Sequence, residues 1–403
     1  MVGKIKELFS ALGTQPSALI RTAAYAYVLH ILFHYKIALL MLAAFCVVFA
    51  VGWAIARGEV RFSFHILYYP LALYGIVSTI STLVADRRIH EGYETVLWFK
   101  ILIFPAAIVL YRTIPAMREL VWYAYALLAG GSSIWALIQY VFFERRDLEH
   151  RISGPASHVM TFSGILLPLS LMFLVLWFHR RKPLDLVVTL LSTLTLLLTF
   201  TRSVWLGWGF AVFTLLMLTR SRLRYYIAPA LLLFITFLPL SLFGRLMSTF
   251  DLRQSSNFDR IRMLQAGVEM IKDHPLFGVG PANVKEVYAL YKRHDAPRPR
   301  PPHLHNNVVQ LWAERGILGL ASYLLLLALF LRECAKVWDT HRMWAQIGVA
   351  ITAGLTVAGL FEFNFGDTEV FYLMLNLFAL VIAWMGRPEP VNEPATGLVP
   401  ATA

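Results

Sequence analysis

Residues 37–56 read IALLMLAAFCVVFAVGWAIA, twenty residues without a single charged side chain. A helix rises about 1.5 Å per residue and the hydrocarbon core of a bilayer is about 30 Å thick, so a run of this length spans a membrane. The whole chain agrees, because 58% of its residues are hydrophobic and only 15% are charged, against roughly 25% charged in soluble proteins. A water-soluble enzyme, a fibre and a disordered chain are excluded.

Ten further apolar runs resemble this one, and a weaker run at 18–35 is interrupted by Arg21, His30 and His34. We therefore expect an all-α polytopic membrane protein with about 12 transmembrane helices, although 18–35 also fits an interfacial helix. The ten runs lie near residues 62–84, 97–112, 119–143, 158–178, 184–200, 203–219, 225–243, 312–332, 345–363 and 369–386.

Short basic loops predict the orientation of these spans. Clusters at 179–182, 220–224 and 332–336 are each separated from the next by an even number of spans, so all three fit the cytoplasmic side. With twelve spans both termini also fall inside, and the first seventeen residues lack the apolar core of a cleaved signal. The predicted division is N-terminal membrane helices over 1–243, an external loop over 244–311, C-terminal membrane helices over 312–386 and a cytoplasmic tail over 387–403.

The external side of this topology carries an excess of positive charge. The loop 244–311 is net basic, and Arg145 and Arg146 lie in a neighbouring external loop. Arginine on the translocated side runs against the usual bias, and an anionic substrate such as a phosphorylated lipid or sugar explains it. The alternative is that long loops translocate regardless of charge. Nucleic acid is not an expected partner, because the basic residues are dispersed between the spans.

The external loop has a predicted order of its own. Ile261, Leu264, Val268 and Ile271 predict an amphipathic helix over 259–272 with these residues on one face. A turn over 278–281, a second short helix over 284–292 capped by Asn283, and an extended proline-rich stretch over 298–302 complete the loop.

His303 and His305 stand just before the next membrane helix, which Asn306 or Asn307 is placed to cap. Histidine is suited to accept a proton near neutral pH, and the alternative is a histidine that simply lies at the membrane interface. No third metal ligand is near the pair in the sequence and no Asp-x-Asp occurs there, so no metal is expected.

Two arginines are candidates for holding an anion. Arg202 lies between two apolar runs, where a charge tends to face a cavity or a partner, although an arginine reaching to the headgroups is the alternative. Arg260 leads the amphipathic helix, where the positive helix end disfavours a cation unless an anion joins it; pairing with Asp259 or Asp251 is the alternative. Asp367 lies on the last external loop, where it can orient the histidine or pair with an arginine.

Three stretches resemble the O-antigen ligase/polymerase superfamily of polytopic glycosyltransferases. They are the hairpin 200–205, the stretch from Asp259-Arg260 through 274–280, and 305–319 with its His-Asn, Glu-x-Gly and following glycine. The resemblance covers roughly residues 35–386 and favours the ligase that acts on lipopolysaccharide. It implies a GT-C-like glycosyltransferase with about 12 transmembrane helices and one long periplasmic loop containing short helices.

The resemblance also implies a mechanism. An O-antigen glycan would pass from undecaprenyl pyrophosphate to the lipid A-core oligosaccharide at the periplasmic face of the inner membrane, without metal or other cofactor and with inversion. His305 would be the base, with His303 as the other candidate, and Arg202 and Arg260 would hold the pyrophosphate, with Arg262 as the alternative to Arg260. Supporting roles are expected for the set Asp367, Glu314, Asn306, Arg145 and Arg146. A polymerase or protein O-glycosyltransferase of the same superfamily, and from another class a secondary transporter or lipid flippase, remain as alternatives.

Overall fold

The computed structural model describes residues 2–15, 17–62, 64–85, 93–143, 151–219 and 254–386. Within these ranges the chain forms fourteen α-helices and a short π-helical turn, Gln139–Phe143. The predicted span 225–243, the basic cluster 220–224, the first part of the external loop and the C-terminal tail lie outside the described residues.

The helices follow one another in the order α1 Val2–Gly13, α2 Ala18–Leu32, α3 Ile37–Ala56, α4 Tyr68–Val84, α5 Tyr93–Thr113, α6 Ala116–Ile138, α7 Val159–Arg180, α8 Pro183–Leu198, α9 Arg202–Leu218, α10 Ser255–Asp273, α11 Val284–Tyr291, α12 Asn307–Lys336, α13 Arg342–Gly359 and α14 Thr368–Met385.

Each apolar run within the described residues contains a helix, as predicted. Five helical segments are long and apolar enough to cross a bilayer, namely α3, Ala116–Phe142, α7, α12 and α14, and α2, α4, α8 and α9 are shorter apolar helices. The prediction of an all-helical polytopic membrane protein is therefore confirmed for the described residues. The total of twelve spans stays a prediction.

The bundle has central and peripheral helices. Most residues of α7 and α14 are buried, and α7 packs against α8 and α13 while α14 packs against α5. By contrast, α3 leaves Leu42, Phe45, Phe49 and Trp53 exposed along its length, as a helix that faces lipid does. Packing against neighbouring helices therefore fixes the positions of α7 and α14, including those of their N-terminal ends.

The first 35 residues are more ordered than the sequence indicates. Helix α1 packs Leu8 and Leu12 into the bundle, and Lys4 Nζ lies 2.6 Å from Glu119 Oε1 on α6. Helix α2 packs against α3 and α6 and buries His30 completely. His30 and His34, two of the three polar residues that interrupt the run 18–35, are thus buried side chains and do not indicate a helix at the membrane surface.

Helices α10 and α11 confirm the two helices predicted in the external loop, but the buried face of α10 was predicted wrongly. The structure buries Met263, Ala266 and Met270, whereas Val268 is 43% exposed. Small side chains explain the difference: Ala266 and Gly267 allow α10 to approach the residues around the start of α12 closely. The larger predicted residues lie beside that contact or face away from it.

The predicted cap of α11 is also wrong in its chemistry. Asn283 does precede the helix, but its side chain makes no capping hydrogen bond. Its Nδ2 donates instead to the carbonyl of Val279, at 3.1 Å, which stabilises the turn before the helix.

A break in α12 fastens the external segment to the bundle. Gly316 has φ 68° and ψ −172°, which glycine adopts readily and other residues rarely do. At this break Ile317 N donates to Pro275 O at 2.9 Å, while Val279 N and Gly280 N donate to the carbonyls of Ala313 and Glu314 at 2.8 and 3.0 Å. Backbone groups that a continuous helix would pair internally thus bind the predicted turn.

Replacing Gly316 by alanine should weaken this junction. The new Cβ would overlap the backbone of Leu276, and the positive φ alone costs about 1–3 kcal/mol. We expect a lower midpoint of thermal unfolding in detergent for Gly316→Ala. Gly209→Ala is the matched control, because Gly209 lies inside α9 with open space around it, and alanine is favoured there by about 1 kcal/mol. Equal midpoints for the two variants would contradict this account of the break.

A cationic cavity with a histidine–glutamate cluster

A cavity of about 780 Å³ opens where α7, α9, α12 and α14 begin, and α10 and the segment before α12 form its other walls. Four helix N-terminal ends therefore point toward one space, and each carries a partial positive charge. The charged and histidine side chains that line it are Arg151, His158, Arg202, Arg260, Lys285, Arg298, His303, His305, Glu314, Glu362 and Asp367. This lining favours an anionic ligand.

The two histidines meet a glutamate that is distant in sequence. Nδ1 of His305 lies 3.0 and 3.1 Å from the two carboxylate oxygens of Glu362, and Nε2 of His303 lies 3.3 Å from Glu362 Oε1. His305 has φ 53°, a strained value for a residue with a side chain. The structure therefore holds this histidine at a conformational cost of the kind found at functional sites.

Charges and hydrogen bonds fix the protonation of this cluster. Burial alone would raise the pKa of Glu362, but the hydrogen bond from His305 and the electrostatic effects of His305, His303 and Arg260 outweigh it and hold the pKa at about 2. Burial lowers the pKa of His303 to about 4, against the opposing effect of Glu362. At neutral pH the cluster thus contains an ionised carboxylate and a neutral His303.

An ionised carboxylate only accepts hydrogen bonds, so His305, which is hydrogen-bonded to it, must be the donor. His305 donates from Nδ1, which leaves the lone pair of a neutral ring on Nε2. Nδ1 of His303 accepts a bond from the backbone N–H of His305 at 3.3 Å, so the proton of the neutral ring is on Nε2, which lies 3.3 Å from Glu362 Oε1. The nitrogen lone pair of His303 is therefore already engaged, whereas Glu362 orients His305 with Nε2 as an acceptor.

Arg202 is held at the first turn of α9 by neutral oxygens. Its guanidinium donates to Gln254 Oε1 at 2.9 Å, Ser256 Oγ at 3.2 Å and Asn257 Oδ1 at 2.8 Å. These bonds orient the guanidinium at the cavity. Among the described residues no side-chain hydrogen bond caps α9, so its first N–H groups add to the attraction for an anion.

Arg260 and Arg262 differ clearly in their surroundings. Arg260 lines the cavity, and among the described residues no hydrogen bond or ion pair involves its guanidinium. Burial lowers its pKa, opposed by Glu362, but an arginine stays charged at neutral pH. Arg262 instead pairs with Asp295, donates to Gln265 and lies over the ring of Phe258. Arg262, the alternative that the sequence left open, is therefore held by protein side chains, whereas Arg260 faces the cavity.

Asp367 lines the cavity but has other partners. Its Oδ1 accepts from the backbone N–H groups of Glu369 and Val370 and so caps α14, while Oδ2 accepts from Thr161 Oγ1. The carboxylate that contacts His305 is that of Glu362.

Glu314 and Asn306 belong to the framework of α12. Glu314 Oε1 accepts from Ala282 N at 3.0 Å and from Gln310 Nε2 at 2.7 Å, and Oε2 accepts from Arg315. Asn306 accepts from Val309 N at 2.9 Å, which confirms that it caps the helix. Both residues hold the backbone around His305.

Arg145 and Arg146 lie outside the described residues. Arg151, from the same loop, does reach the cavity, where its Nε donates to the carbonyl of Thr199 at 2.7 Å. It therefore supports the hairpin that presents Arg202.

Glu362 was not singled out from the sequence. It lies 57 positions after His305, and only the packing of α12 against α13 brings the two together. An available signal was its place beside a predicted membrane span on the same side as the histidines, since an acid so close to hydrocarbon needs a partner.

These features define an integral membrane protein with a cationic cavity and an oriented histidine at one end of its helices. The family model described as O-antigen ligase matches residues 187–324, which is 138 of the 403 residues and includes Arg202, Arg260 and His305. Within this matched segment, about a third of its length, the chain is similar to the O-antigen ligase family, and the family description suggests a glycosyl-transfer enzyme. No curated protein sequence matches the chain.

Proposed function

We propose that this protein is an O-antigen ligase. It transfers an O-antigen glycan from undecaprenyl pyrophosphate to a hydroxyl of the lipid A-core oligosaccharide, without a metal ion and with inversion of the anomeric carbon. The observation that carries the proposal is the pairing of His305 Nδ1 with Glu362 in the cavity that also contains Arg202 and Arg260. A base and an anion-binding group are the two parts that such a transfer needs.

His305 is the base. Because Nδ1 of His305 donates a hydrogen bond to Glu362, Nε2 is the nitrogen that takes the proton of the acceptor hydroxyl. It does so as the hydroxyl oxygen attacks the anomeric carbon. The ionised carboxylate stabilises the imidazolium that forms. His303 has the same carboxylate partner, but its remaining nitrogen already accepts a hydrogen bond, so it acts as a support.

Arg202, Arg260 and the uncapped start of α9 stabilise the leaving group. As the bond between the anomeric carbon and the pyrophosphate oxygen breaks, negative charge develops on that oxygen. Fixed positive groups stabilise this charge without the reorganisation that water requires. The attacking oxygen and the departing pyrophosphate occupy opposite sides of the anomeric carbon, and this displacement produces inversion.

The proposed location follows the predicted topology. The spans lie in the bacterial inner membrane with both termini in the cytoplasm, so the cavity faces the periplasm. Both proposed substrates are lipid-anchored and carry phosphate, which suits a cationic cavity at the ends of membrane helices. A volume of about 780 Å³ falls within the usual range of ligand sites and has room for the reacting sugar and the pyrophosphate.

Purified protein given an undecaprenyl-pyrophosphate glycan and core-lipid A should form the joined product with or without EDTA. Chain growth between donor molecules, with no product on core-lipid A, would identify the polymerase instead. Transfer only to a protein acceptor would identify a protein O-glycosyltransferase. Transport of the intact donor across a vesicle membrane without glycosidic bond formation would support a transporter or flippase. Loss of transfer in EDTA, restored by a metal ion, would contradict the metal-independent mechanism.

His305→Ala should lower the rate of transfer by roughly 10²–10⁴, the usual contribution of a general base. The measurement is product formation under saturating donor, with insertion checked by size-exclusion chromatography. His294→Ala is the matched control, because His294 is an exposed histidine of the same external segment. We expect a smaller loss in His303→Ala. If His303→Ala were inactive and His305→Ala normal, the roles of the two histidines would be reversed.

Arg260→Ala should lower transfer much more than Arg262→Ala. Removing an electrostatic group that acts on the transition state costs about 10²–10³ in rate, whereas Arg262 is held by Asp295 and Phe258 and its loss should mainly lower thermal stability. Rates and unfolding midpoints measured on both variants separate the two effects. Equal rates in the two variants would remove Arg260 from the proposed anion site.

A further inference from the structure

We infer that His303, His305 and Glu362 form a binding site for a zinc-class divalent transition-metal ion, and that occupancy of this site inhibits the enzyme. The inhibitory part rests on the proposed role of His305 as the base. The metal-binding part rests on geometry alone, because the three side chains each offer a ligand atom and these atoms lie within 4.8 Å of one another.

The distances around one carboxylate oxygen match those of a metal site. Glu362 Oε1 lies 3.3 Å from His303 Nε2 and 3.1 Å from His305 Nδ1. A tetrahedral zinc ion with bonds of about 2.0–2.1 Å holds neighbouring ligand atoms about 3.3 Å apart. Two of the three ligand–ligand distances therefore already suit an ion, and the third is within 4.8 Å.

The ligand set selects the kind of metal. Two imidazoles and one carboxylate suit zinc, nickel or copper, whereas magnesium prefers six oxygen ligands and retains much of its water. The neighbouring Arg260 repels every divalent cation, so an ion that depends on charge alone is disfavoured. The cluster also borders the open cavity, which provides room for a water molecule as the fourth ligand.

Binding has a local cost that limits its strength. A metal on His303 Nε2 leaves the ring proton on Nδ1, which then no longer accepts the 3.3 Å bond from His305 N. The hydrogen bond from His305 Nδ1 to Glu362 is lost as well, because that nitrogen also binds the metal. A reversible site is therefore expected rather than a permanent structural one.

A metal ion in this site would inhibit the enzyme because it changes which nitrogen of His305 carries the ring proton. A neutral imidazole has one nitrogen with a lone pair and one with a proton. When Nδ1 binds the metal, the ring proton occupies Nε2, and this nitrogen becomes a donor. It then has no lone pair to receive the proton of the acceptor hydroxyl. The metal-bound enzyme thus retains its anion site but lacks its base.

The test is a titration of the purified protein with ZnCl₂ alone, measured by isothermal titration calorimetry. The same titration with MgCl₂ is the comparison. We expect one zinc ion to bind and magnesium not to compete. His303→Ala and Glu362→Gln should each weaken zinc binding by at least about 10–100-fold, the effect of losing even an outer partner of a metal ligand. His294→Ala should bind as the unaltered protein does.

A second measurement covers variants that fold poorly. In the unaltered protein, zinc should protect His303 and His305 from modification by diethyl pyrocarbonate, read by mass spectrometry, while exposed His294 stays reactive. Absence of zinc binding, or equal binding by His303→Ala and the unaltered protein, would overturn the inference.

Transfer assays separate this inference from the proposed function. Zinc should inhibit transfer, and EDTA should restore it. Transfer that proceeds unchanged with zinc, in a protein that binds none, would reject the metal site and leave the ligase proposal standing. Zinc binding that depends on His303 and Glu362, in a protein that joins no glycan to any acceptor, would keep the site and reject the proposed function.

Discussion

The break of α12 at Gly316 is the constraint on which the described architecture of the site depends. A continuous helix would pair the N–H of Ile317 with its own turn, but here that group and two carbonyls bind the segment Pro275–Gly280. Buried backbone groups are costly to leave unpaired, so the break and the docked turn stabilise each other. Glu314 strengthens the junction, because its side chain accepts from Ala282 N while its carbonyl accepts from Gly280 and Ser81.

This junction determines where the functional side chains of the external segment lie. Helix α10 precedes the docked turn and packs on Leu304 and Ala313, and this packing brings Arg260 to the cavity. His305 lies between that packing contact and the start of α12, in a backbone held by the Asn306 cap. Arg202 comes from a different part of the bundle, the start of α9. The cavity therefore combines groups from separate helices, and its geometry depends on packing rather than on any one motif.

The sequence predicts the parts of this structure that depend on local periodicity. The run at 37–56 becomes α3 with the same bounds, and Asn306 caps α12 as its position indicates. Contacts between distant segments were not accessible in the same way. The buried face of α10 follows from the small residues that allow close approach to α12, and the largest apolar residues pointed to a different face. Glu362 meets His305 only after α13 packs against α12, so no spacing near the histidines reveals it.

The cationic cavity also accounts for the behaviour of its one histidine–carboxylate cluster. Arg260 helps to keep Glu362 ionised, and an ionised Glu362 requires His305 to donate the hydrogen bond that joins them. That arrangement leaves Nε2 of His305 as an acceptor, which is the state that a base needs. The same three atoms have the spacing of a metal site, so the cluster can exchange its ring protons for a metal ion. A divalent ion brings two positive charges into the cluster, whereas the proton that moves from the acceptor hydroxyl to His305 brings one, so repulsion from the arginines opposes metal binding more strongly. The positive surroundings that bind pyrophosphate thus disfavour a metal ion at His305 more than they disfavour the proton.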